Sequence, residues 1–330
     1  MIALSILDLV RVTQEGSARQ AFDSARDLAR HAESLGYRRY WVAEHHNMPG
    51  VACTATALVI AHIAAGTETI RVGSGGIMLP NHVPLVIAEQ FGTLATLFPG
   101  RIELGLGRAP GTDPLTTRAL RRHPASADSF PHDVQELQGF LRRPVEGQRV
   151  RAFPVAETEV PIWILGSSTF GAQLAGELGL PFAFASHFAP ASLLAALDVY
   201  RRCFRPSSQC QSPYALVGVN IIAADAVSQA RRLATTQQMS FTNLVRGTPG
   251  LSRPPIDDID SYWTATEKAQ AQQMLANSII GGPEEILSGM QSLVAATGAN
   301  ELILVSDIYD HSARRRSIEI AIAASRQVAS

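Results

Sequence analysis

Three groups of residues in the 330-residue chain have the types and spacing to do chemistry. The first is Glu44-His45-His46, where an imidazole titrates near working pH and can donate, accept or relay a proton. His45 is the better candidate for the reacting histidine, whereas His46 fits the part of a histidine capping a loop carbonyl. The second is Gly166-Ser167-Ser168-Thr169, a glycine and three hydroxyls opening a helix after a strand. Free N–H groups and the helix dipole favour an anion such as phosphate there. The third is Arg108, whose flanking glycines let a phosphate come close to its guanidinium. Gly75-Gly76 adds a fourth signal, because paired glycines inside a strand mark the close approach of a ligand. A flat aromatic cofactor lying on that strand is the expected occupant.

Other readings of these residues are weaker. Gly105-x-Gly107 fails as a dinucleotide fingerprint, since its third glycine falls on Pro110. Paired metal sites on such folds need ligands from several strands, and only His187, Asp8 and Asp307 could join the two histidines. No metal is expected. His31, His62, His123 and His132 lie away from strand ends and receive no role.

The elements that must position these residues follow from the apolar pattern. Short apolar runs read as strands at Leu4–Leu7, Tyr40–Ala43, Ile70–Gly73, Ile102–Leu106, Ile162–Leu165, Phe182–Ala185, Ala215–Ile222 and Glu301–Val305. Amphipathic stretches between them read as helices: 18–35, 55–65, 84–97, 128–141, 170–178, 191–202, 226–245, 284–296 and 312–328. Eight strands with continuous rather than alternating apolar character, each followed by a helix, predict an α/β fold, the (β/α)8 TIM barrel, with a doubly wound open sheet of similar periodicity as the alternative. The chain is read as one domain, 1–330. Arg246–Gly282 interrupts the rhythm with Pro249, Pro254 and Pro255. It reads as a lid-like insertion, stiffened by its prolines, that offers Tyr262 and Trp263 to an apolar ligand.

Composition bounds the partners. Lys and Arg total 28 against 29 Asp and Glu, a net charge of −1, which supplies no field for nucleic acid or an anionic membrane. Three irregularly spaced cysteines make neither a disulfide framework nor a zinc site, so a reducing cytoplasm is expected. No signal peptide or membrane-spanning run is read, and the expected partner is a small-molecule substrate.

Together these segments resemble the bacterial luciferase-like flavin monooxygenases, in their single-chain group. The resemblance rests on Trp41–His46 (WVAEHH), Val72–Pro80 (VGSGGIMLP), Phe98–Arg108 (FPGRIELGLGR), Leu165–Ser168 (LGSS) and Gly281–Glu284 (GGPE). It implies a barrel that takes reduced FMN and dioxygen and oxygenates a small organic substrate. It implies His45 as the active-site histidine, a cis peptide at Gly75–Gly76, and FMN contacts at Gly75, Gly76, Arg108, Gly166, Ser167 and Ser168. Gly107 stands where the light-emitting enzymes carry a reactive cysteine, so light emission is not expected. With no second nucleotide module in the chain, a separate NAD(P)H:flavin reductase is implied, and so is a homodimer packed through Ala55–Ala65 and Pro84–Leu97. Three alternatives compete: a deazaflavin-dependent dehydrogenase on the same barrel, a non-catalytic flavin-binding protein, and a metal hydrolase.

Overall fold

The computed structural model describes residues 1–154 and 159–328. Its strands are β1 (Ala3–Asp8), β2 (Arg39–Val42), β3 (Arg71–Met78), β4 (Ile102–Gly107), β5 (Ile162–Gly166), β6 (Phe182–Phe184), β7 (Ala215–Ala223), β8 (Ile279–Gly281) and β9 (Glu301–Val305). Eight of them close a parallel barrel in the order β1–β7 then β9, sealed by the β7–β9 and β9–β1 ladders. The ninth, β8, lies outside this ring and pairs only with the far end of β7, Ile221 with Ile279 through Ala223 with Gly281. The (β/α)8 expectation holds, with one strand more than the sequence pattern showed.

Local chemistry explains why the helices form where they do. Ser17 and Gln20 make a capping box at the start of Ala18–Leu35, and Gly36 ends it in the left-handed region at φ 86°. The buried face is Ala21, Ala25, Leu28, Ala29 and Ala32, small side chains that let the helix lie close on the strands. No helix among the described residues is long and apolar enough to cross a membrane.

Inside the lower barrel, the side chains are ionic and aromatic. Arg39 of β2 donates to Glu103 of β4 at 2.7 and 2.8 Å and to Glu301 of β9 at 2.8 and 3.0 Å. Neither strand is a neighbour of β2, so these bonds cross the lumen. The guanidinium lies 4.5 Å over Trp163 and 5.6 Å from Trp41, whose indole N–H donates to Glu103 at 3.0 Å. Ser5 donates to Glu301. Arg39, Glu103, Glu301, Trp41 and Trp163 are each at most 5 % exposed, so this cluster stops the floor of the barrel.

Segment 246–282 is more ordered than a proline-stiffened loop. It holds a 3-10 turn at Ile259–Ser261, the helix Ala265–Met274 and β8. Thr264 and Glu267 form a capping box at that helix, a start signal that outweighs the prolines upstream. Arg246 then bonds both carboxylate oxygens of Glu267 (2.7 and 2.9 Å) and the Tyr262 carbonyl (2.8 Å). Tyr262 donates to Asn243, and Trp263 to Asp260. The two aromatics are thus held within the insertion and on the helix Val227–Val245.

Candidate active site

Strand register tells which side chains enter the lumen. Arg39 and Trp41 point inward, so alternation along β2 carries the same face to His45. The ladders β2–β3 and β3–β4 set Gly73 beside Trp41 and Glu103 beside Gly73, which places Gly73, Gly105 and Gly107 on the inner face. Between Ser74 and Ile77 the β3–β4 register slips by one residue, and the peptide between Gly75 and Gly76 is cis, as the resemblance implied. A Cβ on Gly75 would sit 2.7 Å from Leu7, and one on Gly76 2.7 Å from the Gly105 carbonyl oxygen. Neither position has room for a side chain. The mouth over β3 and β4 is therefore a glycine shelf, on which Leu7, Leu165 and Met78 fill the space that side chains at these positions would take.

At the edge of the shelf, β4 delivers Arg108 and β5 delivers Gly166, Ser167 and Ser168. These four are brought together. The Arg108 guanidinium carbon lies 4.1 Å from the Phe170 ring centroid, in the first turn of the helix Thr169–Leu178. Gly166 packs against Gly171 of that helix, where a Cβ would fall 3.5 Å from the Gly171 Cα, so the first turn closes tightly on the strand. Ser168 is the N-cap, yet its side chain makes no capping bond, and Ser167, Ser168 and Arg108 are exposed. Open N–H groups, two free hydroxyls and a cation at one helix start fit a phosphate. The shelf beside them fits a flat ring system, so the residues present suit a flavin nucleotide.

His45 stands at the end of β2, partly buried. Burial pulls its pKa below the ordinary imidazole value, and the nearby Arg11 charge adds to this, against the Gly111 carbonyl and Glu44. It is neutral at pH 7. The division of labour between the two histidines corrects the sequence expectation. The His46 ring caps no carbonyl: its Nε2 bonds the carboxylate of Glu44 at 2.8 Å. Glu44, 1 % exposed, also accepts from His82 Nε2 (2.9 and 3.0 Å), the Met78 N–H (3.1 Å) and Asn81 (3.4 Å). Burial opposes ionisation, but these donors prevail and hold its pKa at about 2. Glu44 is thus a tie between the β2 and β3 loops, bonded by Nε2 of both His46 and His82. The described residues do contain a close group of potential ligands, His132, Asp133 and Glu136, but it lies on the helix Phe130–Leu141, away from the strand ends.

The first-strand loop is fixed by a second buried carboxylate. Asp8 accepts from Arg314 (2.9 Å), the Val10 N–H (2.9 Å) and Tyr40, and the Arg314 charge holds its pKa low against burial. Sequence reasoning weighed one residue at the mouth, His187 after β6, only as a partner for a metal. Its only signal was a histidine at a strand end.

Comparison with known proteins agrees with this geometry. Residues 2–301 match the family model described as luciferase-like monooxygenase. The chain is 51 % identical over 322 residues to a protein of Escherichia coli K12 named luciferase-like monooxygenase, covering 97 % of this chain and 96 % of that one. It superposes on the crystal structure of apo-MsnO8 with a TM-score of 0.88 at 31 % identity, across the full length of both. The FMN complex of the oxygenating constituent of 3,6-diketocamphane monooxygenase from Pseudomonas putida shares the fold, with a TM-score of 0.76 at 18 % identity over 99 % of each chain. The strand-end site, the glycine shelf and these matches lead to one conclusion: the chain belongs to the luciferase-like monooxygenase family.

Proposed function

We propose that the chain is the oxygenating component of a two-component system, using reduced FMN from a separate NAD(P)H:flavin reductase. When bound, reduced FMN supplies the electrons with which one atom of dioxygen enters a small organic substrate and the other leaves as water. The observation that carries the reading is Arg108 stacked on Phe170 at the uncapped start of the helix Thr169–Leu178. Arg108, Ser167, Ser168 and the first-turn N–H groups would hold the phosphate, with Gly166 letting that turn close. Gly75 and Gly76 would face the ring. His45, neutral and beside the shelf, can donate to or accept from a group at the reacting edge and move a proton there.

Two further assignments belong to this reading. Segment 246–282 is a lid on a single domain: Ser252 bridges to Thr13, and Gly50 packs against the Gly250 carbonyl, so its first half reaches the loops after β1 and β2. The chain works as a cytoplasmic homodimer, a reading supported by its free cysteines and by exposed Leu58, Val83, Val86 and Leu97 on or beside helices Thr56–Ala64 and Pro84–Leu97. A monomeric mass by light scattering would remove the dimer.

The decisive experiment mixes the protein with chemically reduced FMN and follows oxygen uptake and product across a panel of carbonyl, thioether and aromatic compounds. Product that carries one atom from labelled dioxygen supports the proposal. Hydride transfer from a reduced deazaflavin under anaerobic conditions, with no labelled product from FMN, would replace it.

A further inference from the structure

We infer that His187 is a second imidazole of the active site, one that presents its Nε2–H to an acceptor oxygen of the bound organic molecule. This deepens the proposed function and rests on it.

The argument begins with barrel register. Ala183 of β6 pairs with Leu216 of β7, and Leu216 pairs with Glu301 of β9, whose side chain is inside the lumen. Alternation then puts Gly218 and Asn220 inward on β7, while His187 lies in the turn just past the end of β6. The contacts agree: a Cβ on Gly218 would collide with His187 Nδ1, so the imidazole occupies the lumen space that this glycine leaves. In the closed ring of eight, β6 is four strands from β2. His187 and His45 therefore face the mouth from opposite sides, with the glycine shelf of β3 and β4 on one arc between them.

The backbone of His187 is clamped from outside its own loop. Ser186 donates to the Gly218 carbonyl at 2.5 Å, and Asn220 donates to the His187 carbonyl at 2.7 Å. Asn220 is itself held at 2.8 Å by Gln237 of the helix Val227–Val245. A histidine so firmly placed would be expected to spend its ring on a partner if its role were structural. His31, His46, His82 and His311 each bond a carboxylate. The His187 ring bonds nothing among the described residues, and its buried Nδ1 is left without a partner.

That unpartnered atom assigns the tautomer. A proton on Nδ1 would be a buried donor with nothing to accept it, and would carry the desolvation cost of an unmade hydrogen bond. A lone pair against the Gly218 Cα–H is the cheaper state, so the proton sits on Nε2, on the ring's other side. Burial and the His45 ring opposite also depress its pKa to about 4, so the ring is neutral at pH 7. The site then offers one N–H donor at a fixed place, suited to orienting an oxygen acceptor.

The probe pair is cyclohexanone and methylenecyclohexane, which have nearly the same shape but differ in the acceptor oxygen. Histidine 15N–1H correlation spectra of the full chain should show His187 as the Nε2–H tautomer. Cyclohexanone should shift its Nε2 resonance, and methylenecyclohexane should not. His187→Phe keeps a ring without a donor and should weaken cyclohexanone about tenfold, leaving the hydrocarbon unchanged. His187→Gln, which keeps an N–H near the Nε2 position, should stay within about threefold of the parent. Gly218→Ala displaces the ring without altering the histidine and should match His187→Phe, which keeps the test readable if either variant folds poorly. An Nδ1–H tautomer, no shift with cyclohexanone, or equal affinity in parent and His187→Phe would overturn the assignment. The titration runs without FMN, so a failure of the cofactor reading would appear in oxygen uptake and not here.

Discussion

Replacing Arg108 with alanine removes one cation from the start of the helix Thr169–Leu178 and leaves the glycine shelf untouched. A charge-assisted hydrogen bond contributes about 1.5–3 kcal/mol when well formed. Arg108 is exposed, so solvent screens part of that and about 1–2 kcal/mol remains. At roughly 1.4 kcal/mol per tenfold, FMN should bind about 5- to 30-fold more weakly. Riboflavin has the same ring and no phosphate, and its affinity should change by less than about twofold. Flavin fluorescence titration of both ligands against parent and variant gives the four constants directly. The salt response is a second readout. With a screening length of about 10 Å at 0.1 M, raising salt should weaken FMN in the parent more than in the variant. Phe170→Leu, which removes the ring 4.1 Å from the guanidinium, should lose a smaller amount, about 0.5–1 kcal/mol. Equal losses for FMN and riboflavin, or an FMN affinity indifferent to Arg108→Ala, would refute the placement of the phosphate.

Four other outcomes follow from the same structure. His45→Ala should leave FMN affinity within about threefold while oxygenated product falls about 10²–10⁴-fold and hydrogen peroxide accumulates; full coupled turnover would make His45 structural. Because burial lowers the His45 pKa, parent activity should hold steady above pH 6.5 and fall only as acid protonates the ring, and a profile that collapses between pH 8 and 7 would contradict the neutral form. Arg39→Met should cost about 3–5 kcal/mol in urea unfolding, since it removes the buried cation shared by Glu103 and Glu301 and leaves only the half-exposed Arg71 and Arg38 near them; a variant as stable as the parent would mean the cluster is relaxed by protonation. Limited proteolysis with a non-specific protease should cut within 247–258 in the free protein, and FMN with a substrate mimic should suppress it; resistance in both states would remove the mobile lid.

What was legible in the sequence depended on how locally each feature is encoded. The eight barrel strands are continuous apolar runs because both faces are buried, and such runs are visible without partners. Arg108 and Ser167–Ser168 could be placed side by side because each follows directly on its own strand, β4 or β5, and those strands are neighbours. Arg39 could not be paired, since its carboxylates lie 64 and 262 residues away and only closure of the barrel joins them. The helix Ala265–Met274 went unseen for a different reason: Ala271 is its single buried residue, so it has no apolar stripe. Its first turn did carry a Thr-x-x-Glu cap, the one signal that could have found it. The partner of His46 was misread, as a loop carbonyl, because the carboxylate it meets is only two residues back, folded around to reach it.

The stopper of Arg39, Glu103, Glu301 and two tryptophans has a kinetic consequence. A vessel closed at the bottom has one door, so cofactor, dioxygen, substrate and product must share the opening above β1 to β9. Whatever lies deepest has to arrive first and depart last. On the proposed function, with the flavin on the shelf of β3 and β4 and segment 246–282 above it, the flavin takes the deep berth and the organic molecule the shallow one. Turnover then queues: a substrate bound early blocks the flavin behind it. Excess substrate should therefore inhibit the protein competitively against reduced FMN, and initial-rate patterns that show random entry would mean the floor leaks.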